Sequence, residues 1–150
     1  MPPTVAGLGE VDDPATRQQL ADTSRSLDTC DCTEPPRMTL YQDDGGTHRV
    51  FVAVRKFTRA LNPAEQQSFS VGMWRGIRDS AAGKVTLGPQ VDGDAGRLGG
   101  TMTCAPFTAG ATGQVCVSVD RTSFVMMMEF GPATDPTFPI TVRESVVHRT

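Results

Sequence analysis

The sequence predicts an α+β domain in which an antiparallel sheet of about five to six strands carries two or three helices, packed mainly on one face. Three observations lead to this class. Three Asx-Pro dipeptides each precede a helical pattern, the segments between them alternate polar and apolar residues with a period of two, and glycine-rich turns separate those segments. At 150 residues the chain has the length of one domain, so we expect a single unit over 1–150, with 1–12 and 29–37 as its mobile segments.

Two of the predicted helices begin at an aspartate followed by proline. This is a favourable helix start because the N–H that proline lacks would have no partner at that position. Asp13-Pro14 precedes a helical pattern over residues 15–27. Asp135-Pro136 precedes an apolar series that predicts a C-terminal helix, with the inward residues Phe138, Val142 and Val146.

The middle helix has a further start signal at Asn62-Pro63. Glu65 stands three residues after the asparagine and completes a capping box. Apolar residues then recur at helical spacing and predict one buried stripe with Trp74 at its margin, formed by Phe69, Met73 and Ile77. Gly72 and Gly76 lie beside the stripe, so we expect close packing on a sheet, at a cost in helicity of about 1 kcal/mol per glycine.

Alternating segments predict the strands. The clearest hairpin joins residues 38–43 to 48–57 through Asp43-Asp44-Gly45-Gly46. The second of these strands divides its residues between two faces, one with Val50, Val52 and Val54 and the other with Phe51, Ala53, Arg55 and Phe57. Residues 84–91 predict a short edge strand, and a three-stranded meander is predicted over 99–105, 114–120 and 123–130.

Four cysteines fall into two pairs, Cys104 with Cys116 and Cys30 with Cys32. Cys104 and Cys116 flank a turn-rich stretch, so on hairpin partners their Cβ atoms would face each other, and a disulfide there would add about 3 kcal/mol of stability. Cys30 and Cys32 are separated by one residue, and we expect either a strained mutual bond or free thiols. The spacing of cysteines and histidines does not match a zinc site, so we expect no bound metal.

A structural disulfide implies an oxidising compartment. We therefore expect an extracytoplasmic domain, either secreted or held at the cell surface by a membrane tether outside residues 1–150. The first residues, Met1-Pro2-Pro3-Thr4-Val5, have neither the cationic start nor the apolar stretch of a signal peptide. We expect the export signal or the anchor to precede this sequence.

Four short motifs stand out along the chain: Val5-Ala6-Gly7-Leu8, L-G-G-x-x-x-C at 98–104, V-C-x-x-x-D at 115–120, and a closing helical segment with Arg143. Together they resemble a group of small uncharacterised envelope proteins of actinobacteria. In that group an aromatic residue usually precedes the aspartate, where this chain has Val117-Ser118-Val119. The resemblance implies an exported domain, commonly tethered behind a transmembrane helix and a polar, proline-rich linker, and it implies no reaction and no cofactor.

Charge and motif content exclude several classes of function. Lys and Arg number 14 against 17 for Asp and Glu, a net charge of −3, whereas nucleic-acid binding requires a basic surface. We expect no nucleic-acid partner. The sequence contains no Gly-rich phosphate loop and no nucleophile elbow. It therefore predicts no cofactor and favours a non-enzymatic function.

The remaining functional signal is apolar. If one face of the sheet is uncovered, Phe51, Phe57, Val125 and Met127 would form an apolar patch. Arg55 belongs to a small basic cluster beside it, where an anionic polymer or a lipid headgroup could bind. Seven methionines, three of them consecutive, suit either a core or an adaptable binding surface. We expect binding of a protein, a lipid or another envelope component through this face.

An alternative of a different class is a hydrolase-type enzyme whose site combines Asp120 with His48 across the sheet. Asp120 ends a predicted strand, where a carboxylate can act as a base but more commonly hydrogen-bonds the following turn. The two hypotheses predict different structures. A binding domain has an exposed apolar groove, whereas the enzyme has these two side chains within a few ångströms of each other in a cleft.

Overall fold

The computed structural model describes residues 1–26, 32–108, 110–131 and 135–147. These residues form three helices and nine strands, which confirms the α+β class. In chain order the elements are β1 (Thr4–Val5), β2 (Leu8–Glu10), α1 (Pro14–Ser26), β3 (Arg37–Gln42), β4 (Arg49–Lys56), α2 (Pro63–Ala81), β5 (Thr86–Leu87), β6 (Val91–Asp92), β7 (Thr101–Thr108), β8 (Thr112–Val119), β9 (Ser123–Phe130) and α3 (Phe138–Val147).

Within the described ranges all nine strands join one antiparallel sheet, in the order β1-β2-β3-β4-β9-β8-β7-β5, with β6 also paired to β7. The predicted hairpin is β3–β4, and the predicted meander is β7–β8–β9. The sheet is larger than the five to six strands expected from the sequence. Two strands at the N-terminus were missed, and the edge segment predicted over 84–91 divides into the short strands β5 and β6.

The N-terminal strands lie within the segment 1–12 that was expected to be mobile. β1 and β2 pair through a tight turn in which Ala6 and Gly7 have φ angles of 49° and 82°, as a two-residue hairpin requires. Val5 and Leu8 are buried in the core. The Tyr41 hydroxyl donates a hydrogen bond to a carbonyl oxygen of this segment at 2.8 Å. The chain start is thus tied to the sheet by burial and hydrogen bonding.

Two of the three helices share one face of the sheet, as the expectation of helices mainly on one face requires, but the third packs on the opposite face. The apolar residues of α3, Phe138, Val142 and Val146, pack with the face of β4 that carries Val50, Val52 and Val54. α2 packs on the opposite face with Ala105, Val117 and Phe124. α1 packs on β3 beside Met38. Met38 is paired with Ala53, which lies on the same side of the sheet as α2, so α1 and α2 share this face. Two helices therefore cover one face and the third covers the other.

The predicted disulfide between Cys104 and Cys116 is confirmed, and the two residues are direct partners in the β7–β8 ladder. Cys32 is also disulfide-bonded, whereas Cys30 lies outside the described residues. In the part of the chain that is described, no helix is long and apolar enough to cross a membrane.

Helix α2 starts as predicted, but its buried side differs from the predicted stripe. The Asn62 side chain accepts a hydrogen bond from the backbone N–H of Glu65 at 2.9 Å, and the Glu65 carboxylate accepts one from the backbone N–H of Asn62 at 3.2 Å. The residues buried most deeply are Ser70 and Trp74, whereas Phe69, Met73 and Ile77 remain half-buried. The stripe consequently forms a wall that is only partly covered.

Candidate functional site

A cleft of about 680 Å³ lies between α2 and the sheet. Its floor consists of side chains from the two central strands β4 and β9, namely Ala53, Arg55, Phe124, Met126 and Met128. One wall is the half-buried stripe of α2, joined at its far end by Val85 and Leu87. This volume lies within the roughly 300–1,000 Å³ typical of small-molecule sites.

The cleft exists because the two helices on this face stand apart. α2 packs over β5, β7 and β8, while α1 packs over β3. Between them, the floor formed by β4 and β9 is covered only in part, because Ala53, Arg55 and Phe124 are buried whereas Met126 and Met128 are half-buried. Gly72 and Gly76 also border the cleft, and the absence of a side chain at both positions widens its mouth.

The polar side chains that line the cleft are Arg55 and Thr33 at one end and Ser80 on the α2 wall. Arg55 is 8% exposed, and its guanidinium donates to the hydroxyl of Thr33 at 3.4 Å. Both residues line the cleft, and Arg55 is the one charged side chain among its described lining residues. Burial lowers the pKa of Arg55, because the charged form loses solvation. A partly desolvated cation therefore borders an apolar cavity.

Aromatic side chains close the end of the cleft nearest Arg55. The Phe69 ring of α2 lies 4.9 Å from that of Phe57, in an edge-on arrangement, and 5.0 Å from that of Phe124. These contacts attach the N-terminal half of α2 to the sheet. The C-terminal half contributes Ile77, Ser80 and Ala81 to the wall, so the cleft runs along α2 from the aromatic end.

The surface predicted from the sequence is divided between the two sides of the sheet. Phe51, Arg55 and Phe57 lie on the α2 side, but Val125 and Met127 lie on the α3 side. Direct ladder partners project to the same side, and Val125 pairs with Val54 while Met127 pairs with Val52. Both are 1% exposed. The five residues therefore do not form one surface.

The side chains of the alternative enzyme site are not brought together. His48 precedes β4 and contacts Glu129 at 3.1 Å, near the end of β9. Asp120 precedes the start of β9 and accepts hydrogen bonds from the amides of Thr122 and Ser123. Six residues of strand separate these two ends, about 20 Å at the rise of an extended chain. They cannot share a substrate within a few ångströms.

Asp120 instead holds a turn and a helix in place. Its second carboxylate oxygen accepts a hydrogen bond from Arg143 of α3 at 3.1 Å. Arg143 is 0% exposed and also donates to the carbonyl oxygens of Ala95 and Gly99. The aspartate, the glycine pair and the arginine of the sequence motifs thus meet in one structural cluster.

His48 and Glu129 form a second polar cluster. Glu129 is buried, and its carboxylate accepts a hydrogen bond from the side-chain amide of Gln114 at 2.7 Å. The ring of His48 packs on that of Phe138, with the ring centroids 4.9 Å apart. The cluster binds α3 to the sheet. Among the described residues, no three His, Cys, Asp or Glu side chains are placed to hold a metal ion.

Comparison with known proteins adds no relative. No family model, no curated protein and no solved structure matches the chain. The candidate site consequently rests on its own geometry.

Most of the residues that line the cleft were assigned to the core by their spacing. Met73 and Ile77 belong to a helical apolar stripe, and Met126 alternates correctly for a strand that packs beneath a helix. Gly72 and Gly76 were expected to bring α2 close to the sheet, but both are exposed and a Cβ atom at either position would meet no heavy atom within 4 Å outside the helix backbone. Val85 and Leu87, after the helix, carry no functional pattern of their own.

Proposed function

We propose that this domain binds a small apolar molecule, such as a lipid acyl chain, in the cleft between α2 and the central strands. The observation that carries the proposal is the cleft itself, a concavity of about 680 Å³ with an almost wholly apolar lining. Water in such a cavity has few hydrogen-bonding partners, so replacement of that water by a hydrocarbon is favourable.

Concavity favours a small ligand over a protein partner. Protein-binding patches are broad and contain large apolar side chains exposed at the surface. Among the described residues, the large hydrophobic side chains that are clearly exposed are Val71 at 48% and Val91 at 61%. They lie on different elements, α2 and β6. The apolar surface that remains accessible is concentrated inside the cleft.

We further propose an extracytoplasmic location. The Cys104–Cys116 disulfide is compatible with an oxidising compartment, and the sequence motifs resemble those of actinobacterial envelope proteins. Alkylation of free thiols before cell lysis, followed by mass spectrometry of each cell fraction, tests this. A reduced pair in protein from living cells would contradict the proposed location without affecting the proposed ligand.

Fluorescence titration with N-phenyl-1-naphthylamine tests binding, because this dye brightens on entering an apolar site. We expect saturable binding to the unmodified chain. Met126→Lys introduces a charge into the floor of the cleft and should weaken binding at least about tenfold, since a buried charge loses its solvation. Val91→Lys, at an exposed position outside the cleft, is the matched control. Equal dye binding by all three proteins, or none by the unmodified chain, would contradict the proposal.

A further inference from the structure

Building on the proposed function, we infer that Met73, Met126 and Met128 form a modification site for hydrogen peroxide. Oxidation of these thioethers to sulfoxides lowers the affinity of the cleft for an apolar ligand. The proposed function requires only that an apolar molecule binds, whereas the inference assigns a chemical control of that binding to named sulfur atoms.

The three consecutive methionines of β9 differ in exposure because successive side chains of a strand point to opposite faces. Met126 and Met128 line the cleft and are half-buried. Met127 lies between them in sequence but is 1% exposed, among the side chains that pack with α3. A water-borne oxidant in the cleft can therefore reach the first and the third of these side chains, and the second is an internal reference on the same strand.

A third thioether borders the cleft from α2. Met73 is half-buried and belongs to the wall that stands over the floor of β4 and β9. The cleft volume is about 680 Å³, whereas hydrogen peroxide is little larger than water, which occupies roughly 30 Å³ in the liquid. The oxidant therefore has room to enter beside all three side chains.

Hydrogen peroxide oxidises a thioether by transfer of one oxygen atom. A sulfur lone pair attacks one peroxide oxygen, and the O–O bond breaks as the S–O bond forms. The other oxygen leaves as water after it takes up the proton of the transferred oxygen. The sulfur loses the two electrons that reduce the peroxide. Methionine sulfoxide reductases regenerate the thioether, so the modification is reversible.

The sulfoxide changes the floor of the cleft from apolar to polar. The ladder partners of Met126 are Ala53 and Val117, and Met128 pairs with Val115 on β8. A sulfoxide oxygen among these apolar side chains keeps its hydrogen bonds to water only while the cleft is hydrated. An apolar ligand removes that water, and the cost of one unpaired polar group corresponds to about 5- to 100-fold weaker binding.

Timed exposure of the unmodified chain to hydrogen peroxide, followed by catalase and peptide mass spectrometry, tests the site. We expect sulfoxide to form at Met126 and Met128 at least about tenfold faster than at Met127, which becomes accessible only when the sheet opens. Saturation with N-phenyl-1-naphthylamine should slow the oxidation of the cleft methionines. It should not slow that of Met38, which is equally half-buried but borders a separate concavity beside α1.

Dye titration after removal of the peroxide tests the effect on binding. The measured quantity is the ratio of Kd after treatment to Kd before it in each protein, so a change in basal affinity caused by a substitution cancels. We expect a ratio of about 5 to 100 for the unmodified chain. The triple variant Met73→Leu/Met126→Leu/Met128→Leu keeps similar side-chain volumes without the sulfur atoms, and its ratio should be close to unity. Met38→Leu, the matched control, should retain the full effect.

The outcomes separate the two proposals. Equal oxidation rates at Met126, Met127 and Met128 would overturn the assignment of the site. The inference is also overturned if the oxidised chain binds the dye as tightly as before, if the triple variant loses as much affinity as the unmodified chain, or if oxidation abolishes the circular dichroism signal, since affinity would then fall through unfolding. These results leave binding of an apolar molecule intact. If the untreated chain does not bind the dye, the proposed function itself is wrong, and the inferred loss of binding fails with it.

Discussion

The glycine pair at the mouth of the cleft provides the sharpest test of its role. Gly72 and Gly76 both border the cavity, and a Cβ atom at either position would meet no heavy atom within 4 Å outside the helix backbone. Gly72→Leu and Gly76→Leu should therefore be accommodated without a clash. Each adds a branched apolar side chain at the opening, where a ligand would otherwise enter.

The two variants should change stability and binding in opposite directions. Replacement of glycine by leucine in a helix stabilises it by about 1 kcal/mol, which raises Tm by roughly 2–4 °C in a domain of this size. A leucine side chain carries four carbons. If it displaces a similar number of ligand methylenes at about 0.8 kcal/mol each, binding loses about 3 kcal/mol, or roughly 100-fold in Kd.

Thermal unfolding followed by circular dichroism and titration with the fluorescent dye measure the two effects. Val71→Leu is the control, because it adds a leucine to the outer side of the same helix at an exposed position that does not line the cleft. It should leave dye affinity unchanged. Glycine variants that are more stable and still bind the dye as tightly as the unmodified chain would refute the role of the cleft.

Three further predictions concern the framework. Arg143→Met should destabilise the fold by about 3–5 kcal/mol because it leaves a buried carboxylate without its cation. In urea unfolding, the double variant Asp120→Asn/Arg143→Met should lose less free energy of unfolding than the two single variants lose together. Strict additivity of the two losses would contradict the pairing. Replacement of Cys104 and Cys116 by alanine should cost about 3 kcal/mol, the entropy of the loop that the disulfide closes, and lower Tm by roughly 6–12 °C; an unchanged Tm would contradict this. Burial raises the pKa of Tyr41, the only tyrosine, to about 12. This folded-state pKa lies above the unfolded value of about 10. The stability that protonated Tyr41 contributes is therefore complete below about pH 10 and is lost as the pH rises towards 12. Tyrosinate absorbance should appear in the folded protein only near pH 12, or earlier if the protein unfolds, and its appearance at about pH 10 in the folded protein would contradict the burial.

Local signals in the sequence were sufficient for most individual elements. The capping box at Asn62 and Glu65 placed the start of α2, since both of its hydrogen bonds form within one turn. The hairpin β3–β4 followed from period-two alternation around a glycine-containing turn. The N-terminal hairpin was missed because β1 and β2 have two and three residues. Segments of that length show no periodicity, and these two are held by burial of Val5 and Leu8 in the core and by pairing of β2 with β3.

The residues that share one face of the sheet could not be predicted from each strand alone. Alternation within β4 and within β9 was predicted correctly, but the sequence does not state which face of one strand aligns with which face of the other. That choice depends on register, and a shift of one residue exchanges the two faces. In the folded chain Phe51 pairs with Met128 and Val52 pairs with Met127. The surface predicted from Phe51 and Met127 therefore combined residues that lie on opposite faces of the sheet.

By itself, the sequence determined the α+β class, the starts of α1 and α2, the main strands and the cysteine pair, because each depends on residues close in the chain or on one turn between them. The start of α3 was placed wrongly, since that helix begins at Phe138 and Asp135 hydrogen-bonds a turn before it. The division of helices between the two faces and the gap between α1 and α2 were decided only in the tertiary structure. Both depend on how distant apolar surfaces are buried together. The cleft is a product of that arrangement, since it lies where two helices cover the central strands only in part.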